Sequence, residues 1–408
     1  MLLAYVLGAA LAAQLVVWLL WPGGGVLDPA AVDLRTTFST AELDRARSFR
    51  GPQTMIAIAA SALQLAALAG LVWWVRRRRR ETGADDTGRA LGLLAVAGLG
   101  VVVVVLPTLV GLPVSALARQ RAIDVGLTTN PWGDWALDVA LATGITALQT
   151  AIGFVVLVAL MRRFPDRWWI QGSLLVTAAA ALITFAGPVV VDPLFNAYTP
   201  VQGQVRDDVL ALADRAGVDA GGVYVVDASR RTTAANAYVG GLVGSRRIVL
   251  YDTLLERFPP AQQRSVVAHE LGHARYDDLP RGLLFVLLVA PAGLFAVARI
   301  TRILAPPGTD RRPGASTVPA LAVAFALVLP VVTTVSNQLS RRVEARADTF
   351  ALQLTDDPAA LIAFQRDLAV RNLSDPDPPA WRQWWRGTHP TTLQRIGIGT
   401  AWARGERP

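Results

Sequence analysis

Two of the three histidines in this 408-residue chain lie four positions apart, in VVAHELGHARYDD (residues 266–278), with a glutamate beside the first. On a helix, residues i and i+4 lie on one face about one turn apart. His269 and His273 can therefore turn imidazole nitrogens toward one cation. That is how an H-E-x-x-H segment holds zinc, and Glu270 is placed to take a proton from a water on the same ion. The pattern arises by chance on the order of one time in a hundred in a chain of this length. Gly272 argues the same way. A mid-helix glycine costs about 1 kcal/mol relative to alanine, which a helix with only a packing task has no reason to accept.

A catalytic zinc needs a third protein ligand and an open position. The chain has no cysteine, so thiolate ligands, disulfides and a cysteine nucleophile are excluded. NQLSRRVEARADTFA (337–351) puts Glu344 and Asp348 one turn apart on a helical segment. Alone, these would be surface ion pairs with Arg341 and Arg342. Beside a two-histidine motif that lacks a ligand, they become site candidates. His389, before Pro390 in GTHPTTLQRI, reads alone as a loop residue, yet one site would then account for every histidine.

Composition describes what must position these groups. The chain is 53% hydrophobic and only 17% charged, with mean hydropathy +0.39, whereas about one-quarter charged is usual for soluble domains. The apolar residues gather in seven runs, at about 2–21, 55–75, 90–116, 136–161, 168–191, 281–298 and 317–339. Each matches the roughly 20 residues that cross a bilayer as a helix. The first lacks the positively charged start of a secretory signal. All 39 basic residues are arginine, which excludes a lysine Schiff base or lysine general base. The net charge of +8 belongs to residues flanking the spans rather than to nucleic-acid binding. The run Arg76 to Arg80 reads as a solvated membrane anchor, with a lipid-binding patch as the alternative.

Between the first two spans, STAELDRARSF reads as a short surface helix capped by Ser39 or Thr40. From about 197 to 278 the chain reads as soluble. VQGQVRDDVLALADRAGV has helical spacing, GGVYVVDAS is a buried strand, and SRRIVLYDTLLERF turns from strand to helix near Asp252–Thr253. Pro259 and Pro260 open the helix that carries the histidines. Residues 340–408 read as a polar, helical tail.

Six segments together resemble the CAAX-prenyl-type integral-membrane zinc metalloproteases. They are PLFNAYTPV from Pro193, NAYVGGL from Asn236, RRIVLYDTLL from Arg246, HELGH from His269, SRRVEARAD from Ser340, and THP with RI around His389 and Arg395. The resemblance is specific over about 190–400 and rests on span count over 1–190. HtpX-type proteases share the zinc motifs but have about two spans before H-E-x-x-H, where this chain has five. They stand as the alternative.

The resemblance implies one Zn²⁺ per chain, held by His269, His273 and Glu344, with Glu270 as general base. Asp348 would be a proton donor or a partner orienting a histidine. His389 and Arg395 would line the cleft near the reacting carbonyl, and Asn236 and Tyr238 would belong to an edge strand aligning substrate. Asp278 would be a further partner or a helix-end residue. The implied fold is mainly α, a seven-span transmembrane protein with a zincin-like α+β catalytic domain. A five-span membrane domain would cover 1–196. A metallopeptidase domain, 197–408, would include the last two spans. Its partners would be a peptide or protein substrate and the lipid bilayer, with no nucleic acid; the sequence is silent on oligomeric state. The family's helices enclose a large water-filled chamber, and Gln14, Gln64, Asp138 and Gln149 lie within spans, where polar residues usually face a bundle interior or water. The family's usual substrates end in a prenylated cysteine, and nothing in this sequence shows a prenyl site.

Two other classes predict different sequences. A transporter or channel would place metal ligands inside the spans, and all three histidines lie outside them. An inactive peptide-binding protein would not need Glu270. The resemblance implies a cell-membrane protein with a cytoplasmic catalytic face, whereas the positive-inside rule points the other way. Arg76 to Arg80, Arg89, Arg162, Arg163, Arg167, Arg299, Arg302, Arg311 and Arg312 lie opposite the zinc half. Arg35, Arg45, Arg47, Arg50, Arg119 and Arg121 lie on its side. Single cysteines near Ser39 and Gly83 should label from opposite sides.

Overall fold

A computed structural model describes residues 1–82, 89–241, 246–307, 309 and 313–408. Gly83, Arg311 and Arg312 lie outside them. In chain order the helices and strands are α1 (Leu2–Leu19), α2 (Leu34–Thr37), α3 (Thr40–Thr82), α4 (Arg89–Asp124), α5 (Trp132–Arg163), α6 (Trp168–Val190), β1 (Tyr198–Pro200), α7 (Gln204–Arg215), β2 (Gly222–Val226), β3 (Ala237–Gly240), β4 (Arg247–Tyr251), α8 (Asp252–Arg257), α9 (Pro260–Arg275), α10 (Asp278–Leu304), α11 (Val318–Thr355), α12 (Pro358–Arg371), α13 (Ala380–Arg386) and α14 (Thr392–Ala403). Among the described residues, seven helices are long and apolar enough to cross a membrane: α1, α3, α4, α5, α6, α10 and α11. They coincide with the seven apolar runs. Around the bundle α3 packs on α4, α4 on α5, α5 on α6, α6 on α10, α10 on α11 and α11 back on α3, with α1 against both α10 and α11.

Two of these helices outrun their apolar cores. The segment expected as a short surface helix is the start of the 43-residue α3. Ser39 caps it: the Ser39 hydroxyl accepts from the Glu42 N–H at 3.3 Å, and the Ser39 N–H donates to Glu42 at 2.9 Å, a capping box. Pro52 lies inside this helix and cannot donate to the Ser48 carbonyl one turn back. Arg121 from α4 donates to that carbonyl at 3.2 Å instead, which compensates for the missing bond. At the other end of the chain, α11 runs 38 residues, so the last span leads without a break into the turns carrying Glu344 and Asp348.

The tail at 340–408 is helical, as expected, and it is packed. Leu352, Leu361, Ile398, Ala401 and Trp402 are buried together with Leu27 from the first loop. The Leu27 N–H donates to the Thr349 hydroxyl at 3.0 Å. The loop between α1 and α3 therefore packs on the C-terminal half, across the boundary drawn near residue 196.

The small sheet has order β1-β2-β4-β3. β2 and β4 pair in parallel, and β1 and β3 pair antiparallel at the two edges. β2 and β4 were legible in the sequence and β3 was implied by the resemblance; β1, within PLFNAYTPV, was not expected. One face of the sheet packs its valines and leucines on α7 and α9, while the other gathers Tyr198, Tyr224, Tyr238 and Tyr251.

Two of the four polar residues noted within the spans find partners. Gln14 on α1 accepts from Gln338 on α11 at 2.9 Å. Gln64 on α3 lies in a gap left by Gly111 on α4, where a Cβ would come 3.0 Å from its amide nitrogen. Asp138 on α5 holds Arg231 at two points, both 3.0 Å, and accepts from Asn130 at 3.0 Å. Gln149 is exposed.

Candidate active site

The site is built where α9 meets α11. Pro260 opens α9, and Ala268 and Leu271 are fully buried against the sheet, which fixes the rotation of the helix and turns His269, Glu270 and His273 to a common side. Gly272 explains how α11 comes so close. A Cβ on it would sit 3.2 Å from the Ala347 Cα and 3.2 Å from the Phe350 ring. The glycine does have a packing task, and that packing brings Glu344 to the histidines.

His269 Nε2 lies 3.2 Å from His273 Nε2 and 3.2 Å from Glu344 Oε2. His273 Nε2 lies 3.6 Å from Glu344 Oε1. The outer nitrogens are occupied: His269 Nδ1 meets Asp348 at 2.8 Å, and His273 Nδ1 meets Asp278 at 2.9 Å. A carboxylate can only accept, so each Nδ1 carries a proton, and in its neutral form each ring turns a bare Nε2 lone pair inward. Two such lone pairs beside a carboxylate repel one another unless a cation sits among them. Ligands about 2.1 Å from a tetrahedral ion are about 3.4 Å apart, so the 3.2–3.6 Å spacings fit one. Glu344 Oε2 is also buried with no hydrogen-bond partner. Among the described residues, these three form the one candidate metal group.

The electrostatics carry the same message. Burial opposes protonation of His273, yet Asp278, Glu344 and Glu270 overcome it and push the ring up to about 10. His269 is also raised: burial opposes, and Asp348 outweighs it. Burial pushes the Glu270 carboxyl up, with the two histidines opposing. The carboxylates that favour a proton on these rings also favour positive charge between them.

Supporting residues surround the ligands. Asp348 is 1% exposed and takes two hydrogen bonds from Arg395, at 2.7 and 2.5 Å. The Arg395 guanidinium is thus turned onto Asp348 rather than presented to the cleft. Asp277, in a left-handed conformation (φ 52°), turns the chain sharply after α9 and returns Asp278 to His273. Asp278 is held in turn by Arg346 at 2.5 Å, whose guanidinium lies 4.2 Å over the Tyr276 ring. Sequence reasoning missed Arg346; its position between Glu344 and Asp348 was the available signal. His389 reaches the site from the C-terminal side. Its Nε2 lies 3.4 Å from Glu344, its side chain is 54% exposed, and Thr388 lies 2.9 Å from its Nδ1.

A cavity of about 350 Å³ opens beside Glu270 and His273, with an apolar wall of Phe185, Val239, Leu279, Pro280 and Val343 and a charged side formed by Arg246, Asp277 and Asp278. β3 forms one side of it. The Asn236 carbonyl accepts from the Tyr251 N–H, and antiparallel pairs alternate. Tyr238 therefore also faces β4 with its backbone, while Ala237 and Val239 aim theirs at the free edge. The Tyr238 side chain points to the far face of the sheet, where its hydroxyl lies 3.0 Å from that of Tyr198. The structure thus brings the strand to the site, but not the side chain of Tyr238.

A bundle of candidate membrane spans bearing two histidines and a glutamate that could hold a metal ion, with a buried carboxyl beside them and β3 at the sheet edge among the described residues, is the arrangement of a membrane metalloprotease. The comparisons agree. The sequence profile of peptidase family M48 matches residues 200–399. The metalloprotease YhfN of Bacillus subtilis is 32% identical over 311 residues, covering 74% of this chain and 72% of that protein. CAAX prenyl protease 1 of Saccharomyces cerevisiae is 28% identical over 274 residues, and the alignment covers 61% of this chain and 60% of the yeast protein. The crystal structure of S. mikatae Ste24p shares the fold, with a TM-score of 0.77 over 98% of both chains at 19% identity. The chain belongs to peptidase family M48.

Proposed function

We propose that the chain is a zinc endopeptidase that cuts hydrophobic or membrane-associated peptides and proteins, using one Zn²⁺ held by His269, His273 and Glu344. The observation that carries this reading is the convergence of two imidazole lone pairs and one carboxylate within 4.8 Å of one another. A bound Zn²⁺ would polarise the scissile carbonyl and lower the pKa of the attacking water. Glu270 accepts the proton from that water and delivers it to the leaving amine. Asp348 and Asp278 fix the tautomers of the two histidines, Arg395 keeps Asp348 charged, and Arg395 and Arg346 hold the two carboxylates in place. His389, with Thr388 donating to Nδ1, presents Nε2–H to the oxygen on which charge develops.

An extended substrate adds to the free edge of β3, pairing with the backbones of Ala237 and Val239 beside Asn236 and Tyr238. The apolar wall of the adjoining cavity favours a hydrophobic residue next to the cut. The proposal places the catalytic half on the cytoplasmic side, following the resemblance and against the arginine excess of the opposite face. Single cysteines near Ser39 and Gly83 test it: labelling of the Ser39 site from outside intact cells would reverse the placement.

The activity is tested by cleavage of casein or a hydrophobic peptide by the purified chain beside Glu270→Gln. Loss of a general base costs about 100- to 10,000-fold. Equal rates would overturn the mechanism.

A further inference from the structure

On the membrane face opposite the metal cluster, we infer a binding groove for an acidic glycerophospholipid, formed by Arg76, Arg77 and Arg80 above Ala69, Val72 and Val323. The groove is a cavity of about 500 Å³ where the end of α3 meets the last residue of α10, Leu304, and the second turn of α11. Its two halves differ in chemistry. The deeper wall belongs to membrane-crossing helices and is aliphatic, suited to an acyl chain. The rim carries three guanidiniums and Trp73, placed where the apolar run of α3 ends.

Two of the three rim arginines are held ready by neighbours. Arg76 reaches across the groove toward the Leu304 carbonyl at 3.4 Å. Arg77 lies 5.5 Å over the Trp73 ring and pairs with Glu81 at 2.8 Å. Arg80 pairs with no described residue. Glu81 and Asp166 are the acidic residues of this face among those described, and Asp166 faces Arg302, so among the described residues only Arg77 of the three rim arginines has an acidic partner. Guanidinium forks match phosphate oxygens at two points each. A partly exposed indole at the end of a span sits at headgroup level in a bilayer. An aliphatic slot topped by arginines and tryptophan thus matches a molecule with a phosphate head and an acyl tail, and neither free phosphate nor an uncharged lipid satisfies both halves.

The test is retention of phosphatidylglycerol by the purified full chain, counted by native mass spectrometry and titrated in nanodiscs against phosphatidylcholine. Each arginine near the membrane surface contributes about fivefold. With Arg77 already shared by Glu81, the triple variant Arg76→Gln, Arg77→Gln, Arg80→Gln should bind phosphatidylglycerol about 30-fold more weakly. Ala69→Phe fills the slot with every arginine intact and should also lose the lipid. A control triple of Arg163→Gln, Arg167→Gln and Arg302→Gln removes equal charge from the same face and should retain it. Equal loss in the control triple, equal retention of phosphatidylcholine, or displacement by millimolar glycerol phosphate would each overturn the proposal. Melting curves of the variants separate loss of the lipid from loss of the fold.

Discussion

Gly272 on α9 faces the backbone of Ala347 on α11 so closely that a Cβ would stand 3.2 Å from the Ala347 Cα. Phe350 can swing aside, but a helix backbone cannot without moving Glu344, three residues away. Gly272→Ala should therefore gain helix propensity, about 1 kcal/mol, and still weaken metal binding about tenfold, since loosened ligand geometry typically costs 10- to 100-fold. Metal affinity and melting temperature measured together check this. Unchanged affinity would show that α11 does not need the glycine.

Arg395 and Asp348 form a buried ion pair, with side chains 13% and 1% exposed. Removing one member of such a pair strands the other and typically costs about 3–5 kcal/mol. Arg395→Met should destabilise the chain by that order and lower metal affinity, because Asp348 then fixes His269 poorly. Denaturant melts with and without bound metal are the measurement. A change in activity alone, with stability intact, would instead place Arg395 at the reacting carbonyl.

Asp138 and Arg231 tie the α5 span to the loop before β3, half-shielded at 21% exposure each. Asp138→Asn should cost about 1–2 kcal/mol, between exposed and buried pairs. The double variant Asp138→Arg with Arg231→Asp should recover part of it. A double-mutant cycle showing no coupling would mean that the other contacts of this loop carry the tie.

The ligand set was legible because helical spacing is local. His269, Glu270 and His273 lie on one helix, as do Glu344 and Asp348. What brings the two helices together was not legible, because the approach of Gly272 to Ala347 spans 75 positions. Likewise, STAELDRARSF read as a short helix separate from the span at 55–75, whereas α3 runs through Pro52 and its unpaired Ser48 carbonyl is met by Arg121 from another helix. The resemblance implied the strand NAYVGG, but which residues face its free edge depends on register with β4. That register moves the substrate-facing backbone from Asn236 and Tyr238 to Ala237 and Val239.

Those two backbones can be tested directly. Val239→Pro removes an N–H that faces substrate but not one that pairs with β4. It should raise KM about tenfold, for one lost hydrogen bond of ~1 kcal/mol plus the steric effect of the ring, with the fold retained. Tyr238→Phe removes a hydroxyl on the far face and should leave KM unchanged. A larger effect from Tyr238→Phe would reverse the assignment.

The central claim is that His269, His273 and Glu344 hold one divalent cation, and metal analysis of the purified chain tests it most directly. After chelation and dialysis against Zn²⁺, the account predicts one zinc per wild-type chain, one in Glu270→Gln, and close to none in Glu344→Ala. Full zinc occupancy in Glu344→Ala would contradict it.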